Sequence, residues 1–167
     1  MDLVIRPAVA ADASGIVSIL NPIIDAGVYT AFDTPFTVDA EQRYIETLPA
    51  RGIFHVALTA GGGIVGFQCM EPFATYTHAF DHVGVMGTYV DLACRRQGIG
   101  RALFEATFEA ARRKEYEKLF TYIRADNAPA LQAYLRQGFS TVGIARRHAK
   151  VRNIHIDAII VERLLTE

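Results

Sequence analysis

The chain has 167 residues, 51% of them hydrophobic and 10% aromatic, enough apolar material for a packed core and too much for an intrinsically disordered chain. Its 17 Lys and Arg against 18 Asp and Glu leave a formal net charge of -1, so it lacks the basic field that nucleic-acid or membrane-surface binding requires. Two cysteines, Cys69 and Cys94, are too few for a disulfide scaffold and fit a reducing compartment. Met1-Asp2-Leu3-Val4-Ile5-Arg6-Pro7 carries an acid at its second position and only a short apolar run, unlike a secretory signal. No stretch approaches the ~18 uninterrupted apolar residues of a membrane helix. One cytoplasmic domain over 1–167 is the expectation.

Leu3-Val4-Ile5 reads as an opening strand stopped by Pro7. Ile16, Ile19, Leu20 and Ile23 recur at helical spacing and predict a helix over Ala11 to Ala26, with Asp12 as N-cap and Pro22 kinking or ending it. Gly27 to Pro35 is a loop, and Thr37 to Leu48 a second helix with Asp39 and Gln42 as a capping-box variant. Phe54 to Leu58 and Ile64 to Phe73 are antiparallel strands joined by the Gly61-Gly62-Gly63 turn. Ala74 to His82 is a loop, and Val83 to Leu92 is a third, central strand. Gly98 to Arg113 is an amphipathic helix, Leu119 to Ile123 a buried strand parallel to the one before it, and Asn127 to Arg136 a helix ended by Gly138. Ser140 to His148 and Ile154 to Leu164 form a last hairpin. The order β-α-α-β-β-β-α-β-α-β-β predicts a mixed α/β (α+β) fold: a mostly antiparallel sheet of about seven strands with about four helices, not a doubly wound one.

Tyr89 to Leu103 carries the most chemistry. A central strand runs through Arg95-Arg96-Gln97-Gly98-Ile99-Gly100-Arg101-Ala102 into a long helix. The first N–H groups of that helix lack intrahelical partners, and the helix dipole adds about half a positive charge there. Gly98 and Gly100 let an anion approach the backbone closely, and Arg95, Arg96 and Arg101 concentrate positive charge in a near-neutral chain. Together they read as a pyrophosphate site. A Walker A loop is excluded because Arg101-Ala102, not Lys-Ser/Thr, follows Gly100. A dinucleotide fingerprint is excluded because Leu103 occupies the place of its third glycine.

Arg95-x-x-Gly98-x-Gly100 resembles the signature of the GNAT N-acetyltransferase superfamily, and the element order fits that fold over nearly the whole chain. Asn21 to Glu41, with Tyr29, Phe32-Asp33 and Pro35, is similar to the phosphinothricin-type amino-acid acetyltransferase branch. The resemblance implies acetyl-CoA as co-substrate, held by Tyr89, Val90, Arg95, Arg96, Gln97, Gly98, Ile99, Gly100, Arg101, Ala102 and Asn127. Arg96 stands where the family often has glycine, a departure that matters little if backbone N–H groups make the contact. The exposed backbone of Tyr89 and Val90 would pair with pantetheine as an added strand, and one N–H would polarise the thioester carbonyl.

Asn127 is by itself a helix cap, and Tyr134, about two turns on, a core aromatic. The resemblance makes Asn127 a contact to the CoA arm and Tyr134 the general acid. A phenol of pKa ~10 can protonate a thiolate whose conjugate acid has pKa ~8.5. The phosphinothricin-type glutamate ahead of the Tyr-Val pair is missing from Val83-Gly84-Val85-Met86-Gly87. Glu71 ranks first as base, with His78, His82 and Asp91 behind it. His78 and His82 find no third ligand, so no metal is expected. Arg146, Arg147, His148, Lys150 and Arg152 read as a solvated edge hairpin, with contact to an acidic substrate group as the second reading. The expected activity is acetyl transfer to a small-molecule primary amine, an amino acid or analogue, by direct attack in a ternary complex. A peptide N-acetyltransferase and a non-catalytic CoA-binding sensor are the alternatives. No nucleic-acid or membrane partner is expected; the sequence leaves the oligomeric state open, with a homodimer the base-rate expectation.

Overall fold

In the computed structural model, residues 2–166 are described. Seven strands form one sheet in the order β1-β2-β3-β4-β5-β7-β6. They are β1 (Leu3–Pro7), β2 (Ile53–Thr59), β3 (Ile64–Pro72), β4 (Val83–Val90), β5 (Lys118–Arg124), β6 (Ser140–Val151) and β7 (Ile154–Leu164). Only β4 and β5 run parallel, because α3 (Ile99–Arg113) crosses over between them. The remaining helices are α1 (Ala13–Ala26), α2 (Val38–Glu46) and α4 (Ala128–Arg136). The element order and the mixed, mostly antiparallel seven-stranded sheet are those the sequence predicts.

Alternation along β3 builds the two faces of the sheet. Phe67 packs with Ile16, Ile19 and Leu20 of α1, while Met70 packs with Phe104 and Phe108 of α3. Each face is therefore sealed by its own helices, and the period-2 strand meets a 3.6-period helix on either side.

Three local expectations are corrected. Asp12 stands at the N-cap position of α1 as expected, but its side chain makes no cap bond; its carboxylate takes Arg6 at 2.7 and 2.8 Å and the Val9 N–H at 2.8 Å, closing a short 3₁₀ turn over Ala10–Asp12. Pro22 does not end α1, which runs to Ala26 before Gly27 adopts φ 71, since buried Ile23 and Ile24 hold the last turn against the sheet. The α2 cap is Thr37, whose hydroxyl accepts the Ala40 N–H at 3.2 Å, rather than a box built on Asp39 and Gln42.

Candidate active site

The β4–β5 ladder holds for three pairs, Val83 with Lys118, Gly84 with Leu119 and Val85 with Phe120. Beyond them the strands splay. The Thr121 hydroxyl donates to the Met86 carbonyl at 2.7 Å, capping the last carbonyl before the gap. Asp91 N–H donates to Val65 on β3 at 3.0 Å, and antiparallel pairing alternates, so the Tyr89 peptide belongs to the β3 ladder opposite Phe67. The peptides of Thr88 and Val90 face the gap. This corrects the expectation that Tyr89 and Val90 both offer backbone to a ligand. Tyr89 instead contributes its ring, stacked on Phe67 at 4.9 Å.

A cavity of about 700 Å³ occupies the gap, with Glu71, Thr88, Asn127, Tyr134 and His148 in its walls. Tyr134 reaches it from α4. Its ring meets Phe104 and Phe139 edge-on at 5.0 and 5.1 Å, which fixes its direction, and its hydroxyl lies 3.0 Å from the Thr88 hydroxyl. Thr88 in turn accepts from Gln68 Nε2 at 2.7 Å, while Gln68 Oε1 is buried with no partner among the described residues. Burial pushes the Tyr134 pKa up, against the smaller downward pull of Thr88. The phenol is therefore a firmly protonated donor.

Asn127 caps α4 by accepting the Ala130 N–H at 3.2 Å and donates to the Tyr29 carbonyl at 3.1 Å. Of the two amide N–H bonds, one is left over for a ligand. Its first duty is thus to tie the 27–37 loop to α4.

At the N-terminus of α3, Gly98 adopts φ 81 and Ala102 N–H makes the first helical bond, to Gly98 at 3.0 Å. The N–H groups of Ile99, Gly100 and Arg101 precede it and point out of the helix end. A Cβ built on Gly98 or Gly100 meets nothing within 4 Å, so the cradle has room for an anion. Ile99 is 1% exposed and anchors the turn in the core rather than facing a ligand. The arginines are less concentrated than their sequence spacing suggests. Arg95 lies 4.0 Å over the Tyr29 ring, and Arg101 pairs with Glu105 at 2.8 Å on the exposed helix surface. Arg96 sits at φ 64, which explains physically why glycine suits its position. Gln97 is exposed.

Glu71 lies directly across the ladder from Val85, on the face that carries Cys69. Burial, helped by Cys69 and Glu71 beside it, pushes the neighbouring Tyr44 phenol up. His78 is fully exposed and paired with Asp81 at 2.9 Å, His82 is exposed, and the Asp91 carboxylate accepts the Ala93 N–H at 2.9 Å. None of these three lines the cavity. Among the described residues no three His, Cys, Asp or Glu converge as metal ligands. Arg124, His148 and Asp157 do line it, although sequence reasoning left Arg124 and Asp157 unremarked and put His148 in a solvated hairpin. Only its place at the end of β5, two residues from Asp126, marks Arg124.

Residues 26–139 match the Acetyltransferase (GNAT) family. A Bacillus subtilis (strain 168) protein, provisionally named a phosphinothricin acetyltransferase, is 24% identical over 98% of this chain and 100% of its own length. The L-methionine sulfoximine/L-methionine sulfone acetyltransferase of Pseudomonas aeruginosa is 27% identical over 86% of this chain and 83% of its own. The Sinorhizobium meliloti phosphinothricin acetyltransferase, solved in complex with acetyl-CoA, superposes with a TM-score of 0.89 at 21% identity, covering 98% of this chain and 89% of that one. Family match, full-length relatives and shared fold agree with the splayed strands and glycine-opened helix: the chain belongs to the GNAT family of acetyltransferases.

Proposed function

We propose that the protein transfers the acetyl group of acetyl-CoA to a small primary amine by direct attack, with residues 1–167 acting as one domain in the reducing cytoplasm that its two free thiols suit. One observation carries the reading: the buried Tyr134 hydroxyl stands in the wall of the cavity where β4 and β5 part, and the chain leaving β4 runs directly into the open anion cradle at Gly98–Gly100. The donor set fits acetyl-CoA, and the Sinorhizobium relative was solved with that molecule.

The outward N–H groups of Ile99, Gly100 and Arg101 would hold the pyrophosphate, with Arg95, Arg96, Gln97 and Ala102 around it. The Thr88 and Val90 peptides and the spare Asn127 N–H would hold the pantetheine arm. Bound acetyl-CoA supplies an activated acyl carbon; a C–N bond forms to it and its C–S bond breaks. The Val90 N–H is aimed into the gap where it can polarise the acyl oxygen. Tyr134 gives its proton to the departing sulfur, so that CoA leaves as the thiol, and recovers it through solvent. Glu71 takes the proton that the amine must lose; it stands opposite Val85, in the stretch where the phosphinothricin-type pattern has its glutamate.

Tyr134→Phe is expected to lower kcat about 100-fold while leaving the acetyl-CoA Kd within about threefold, read by release of CoA thiol and by calorimetry. Unchanged turnover would remove Tyr134 from the mechanism.

A further inference from the structure

We propose that the acceptor is an aralkylamine without a carboxylate, rather than an amino acid; this rests on the acetyl-transfer reading above. Among the described residues, and apart from phenols and Cys69, four ionisable side chains line the cavity: Glu71, Arg124, His148 and Asp157. Two of them are acids. Arg124 is the one permanent cation, and it is committed. Its Nε and Nη2 donate to Asp126 at 2.8 and 2.7 Å, and its Nη1 donates to the Gly27 and Thr30 carbonyls, each at 2.9 Å. Four of its five N–H bonds are thereby used, its charge is matched by Asp126, and it is 8% exposed. Turning it toward a substrate carboxylate would release the loop that carries Tyr29.

The basic residues of the β6–β7 hairpin do not replace it. Arg146, Arg147, Lys150 and Arg152 are absent from the cavity wall, and Arg152 reaches instead to the Asp25 carbonyl at 2.8 Å. His148 is the remaining lining group able to carry positive charge among the described residues, and its ring lies 5.3 Å from Tyr122. Tyr29, Phe32, Phe73 and Tyr122 supply aromatic wall. Such a cavity offers an ammonium group a carboxylate at either end, Glu71 on β3 or Asp157 on β7, stacks an aromatic body, and gives a carboxylate no uncommitted permanent cation to offset its desolvation. Discrimination by an unmatched charge is a strong device because the wrong substrate is penalised rather than merely unrewarded. In the reaction the bound ammonium first gives one proton to solvent by way of Glu71; the neutral amine nitrogen then bonds to the acetyl carbon, its surplus proton passes to Glu71, the C–S bond breaks and the sulfur takes the Tyr134 proton.

The test gives the intact protein acetyl-CoA and matched acceptors: tyramine with tyrosine, and phenethylamine with phenylalanine. Tyrosine methyl ester keeps the bulk of the carboxyl group and masks its charge. CoA thiol release gives kcat/KM, and calorimetry with CoA present gives acceptor affinity. Each amine is expected to exceed its amino acid by at least about tenfold in both, with the methyl ester close to tyramine. Tyrosine within threefold of tyramine, or a methyl ester no better than tyrosine, would overturn the inference. Tyrosine turnover that disappears in His148→Gln would overturn it too, by showing an imidazole that receives the carboxylate. If no acceptor releases thiol, the acetyl-transfer reading fails, and the order of tyramine and tyrosine affinities still decides the acceptor inference.

Discussion

At residue scale, the open space above Gly100 separates binding from folding. An alanine there meets no atom within 4 Å, and alanine is favoured over glycine in a helix by up to about 1 kcal/mol. Gly100→Ala is therefore expected to keep or raise Tm while weakening acetyl-CoA at least about tenfold, because its methyl group enters the volume the phosphate would fill. Thermal melting and calorimetry together check this; an unchanged Kd would move the phosphate elsewhere. Gly98 offers no such test, since its φ of 81 strains any other side chain. These glycines, and the placing of Tyr134 and Asn127 about two turns apart, were legible in the sequence because their spacing is local. Arg124 was not. Its importance comes from carbonyls of Gly27 and Thr30, about a hundred positions earlier in the chain, and no local pattern encodes that meeting. Buried Glu41, 4% exposed, was hidden for the same reason: α2 by itself reads as a polar helix.

At element scale, the 27–37 loop is the piece that joins the cofactor turn to the cavity. It is held at both ends by side-chain amides. Asn21 on α1 donates to the Phe36 carbonyl at 3.0 Å and accepts the Phe36 N–H at 2.9 Å, a two-bond clamp that imitates a strand pair. Asn127 holds the Tyr29 carbonyl from the other side. With each bond worth about 1 kcal/mol net, Asn21→Ala should cost about 2 kcal/mol in urea unfolding. It should also speed hydrogen exchange at residues 28–36 more than elsewhere, and uniform acceleration would deny the clamp. Helices and strands were found in the sequence in their observed order, while their ends were misread where side chains override periodicity. Pro22 looks like a stop, yet Ile23 and Ile24 bury the turn beyond it. β6 seems to finish at His148 because its register slips between Ala145 and Ala149 and Arg147 adopts φ 50; the bulge breaks the alternation that would reveal the strand's full length.

At the scale of the whole molecule, the site exists because one parallel pair interrupts an otherwise antiparallel sheet. The crossover through α3 lets β4 and β5 pair for three residues and then part, so the gap is a property of topology rather than of any one side chain. Topology also decides how charges are buried, and hence how stability depends on pH. Asp12 is held below the usual carboxylate range first by its hydrogen bonds from Arg6, and Asp126 likewise by Arg124. Each contributes stability that is present above the unfolded carboxylate pKa of about 4 and is lost as pH falls through the lower folded value. Burial lowers the His55 pKa, so stability also falls as acid protonates the unfolded imidazole below about pH 6.5.

Glu41 has the opposite sign. Burial raises its pKa, so the folded state retains a proton that the unfolded state has released. Its contribution is full below the unfolded value of about 4.3 and is lost as pH rises through the folded one. Glu41→Gln abolishes that titration while keeping shape. It is expected to stabilise the protein at pH 8 by about 1 kcal/mol, because burial costs the ionised carboxylate more hydration than it costs a neutral amide. The gain should shrink toward zero by pH 4, where the carboxyl is largely neutral in both states. Urea unfolding of the two proteins from pH 4 to 8 measures it. A gain of equal size at both ends would assign the effect to packing of the amide, and a loss at pH 8 would mean that the Glu41 carboxylate is matched by a charge or donor in the folded protein.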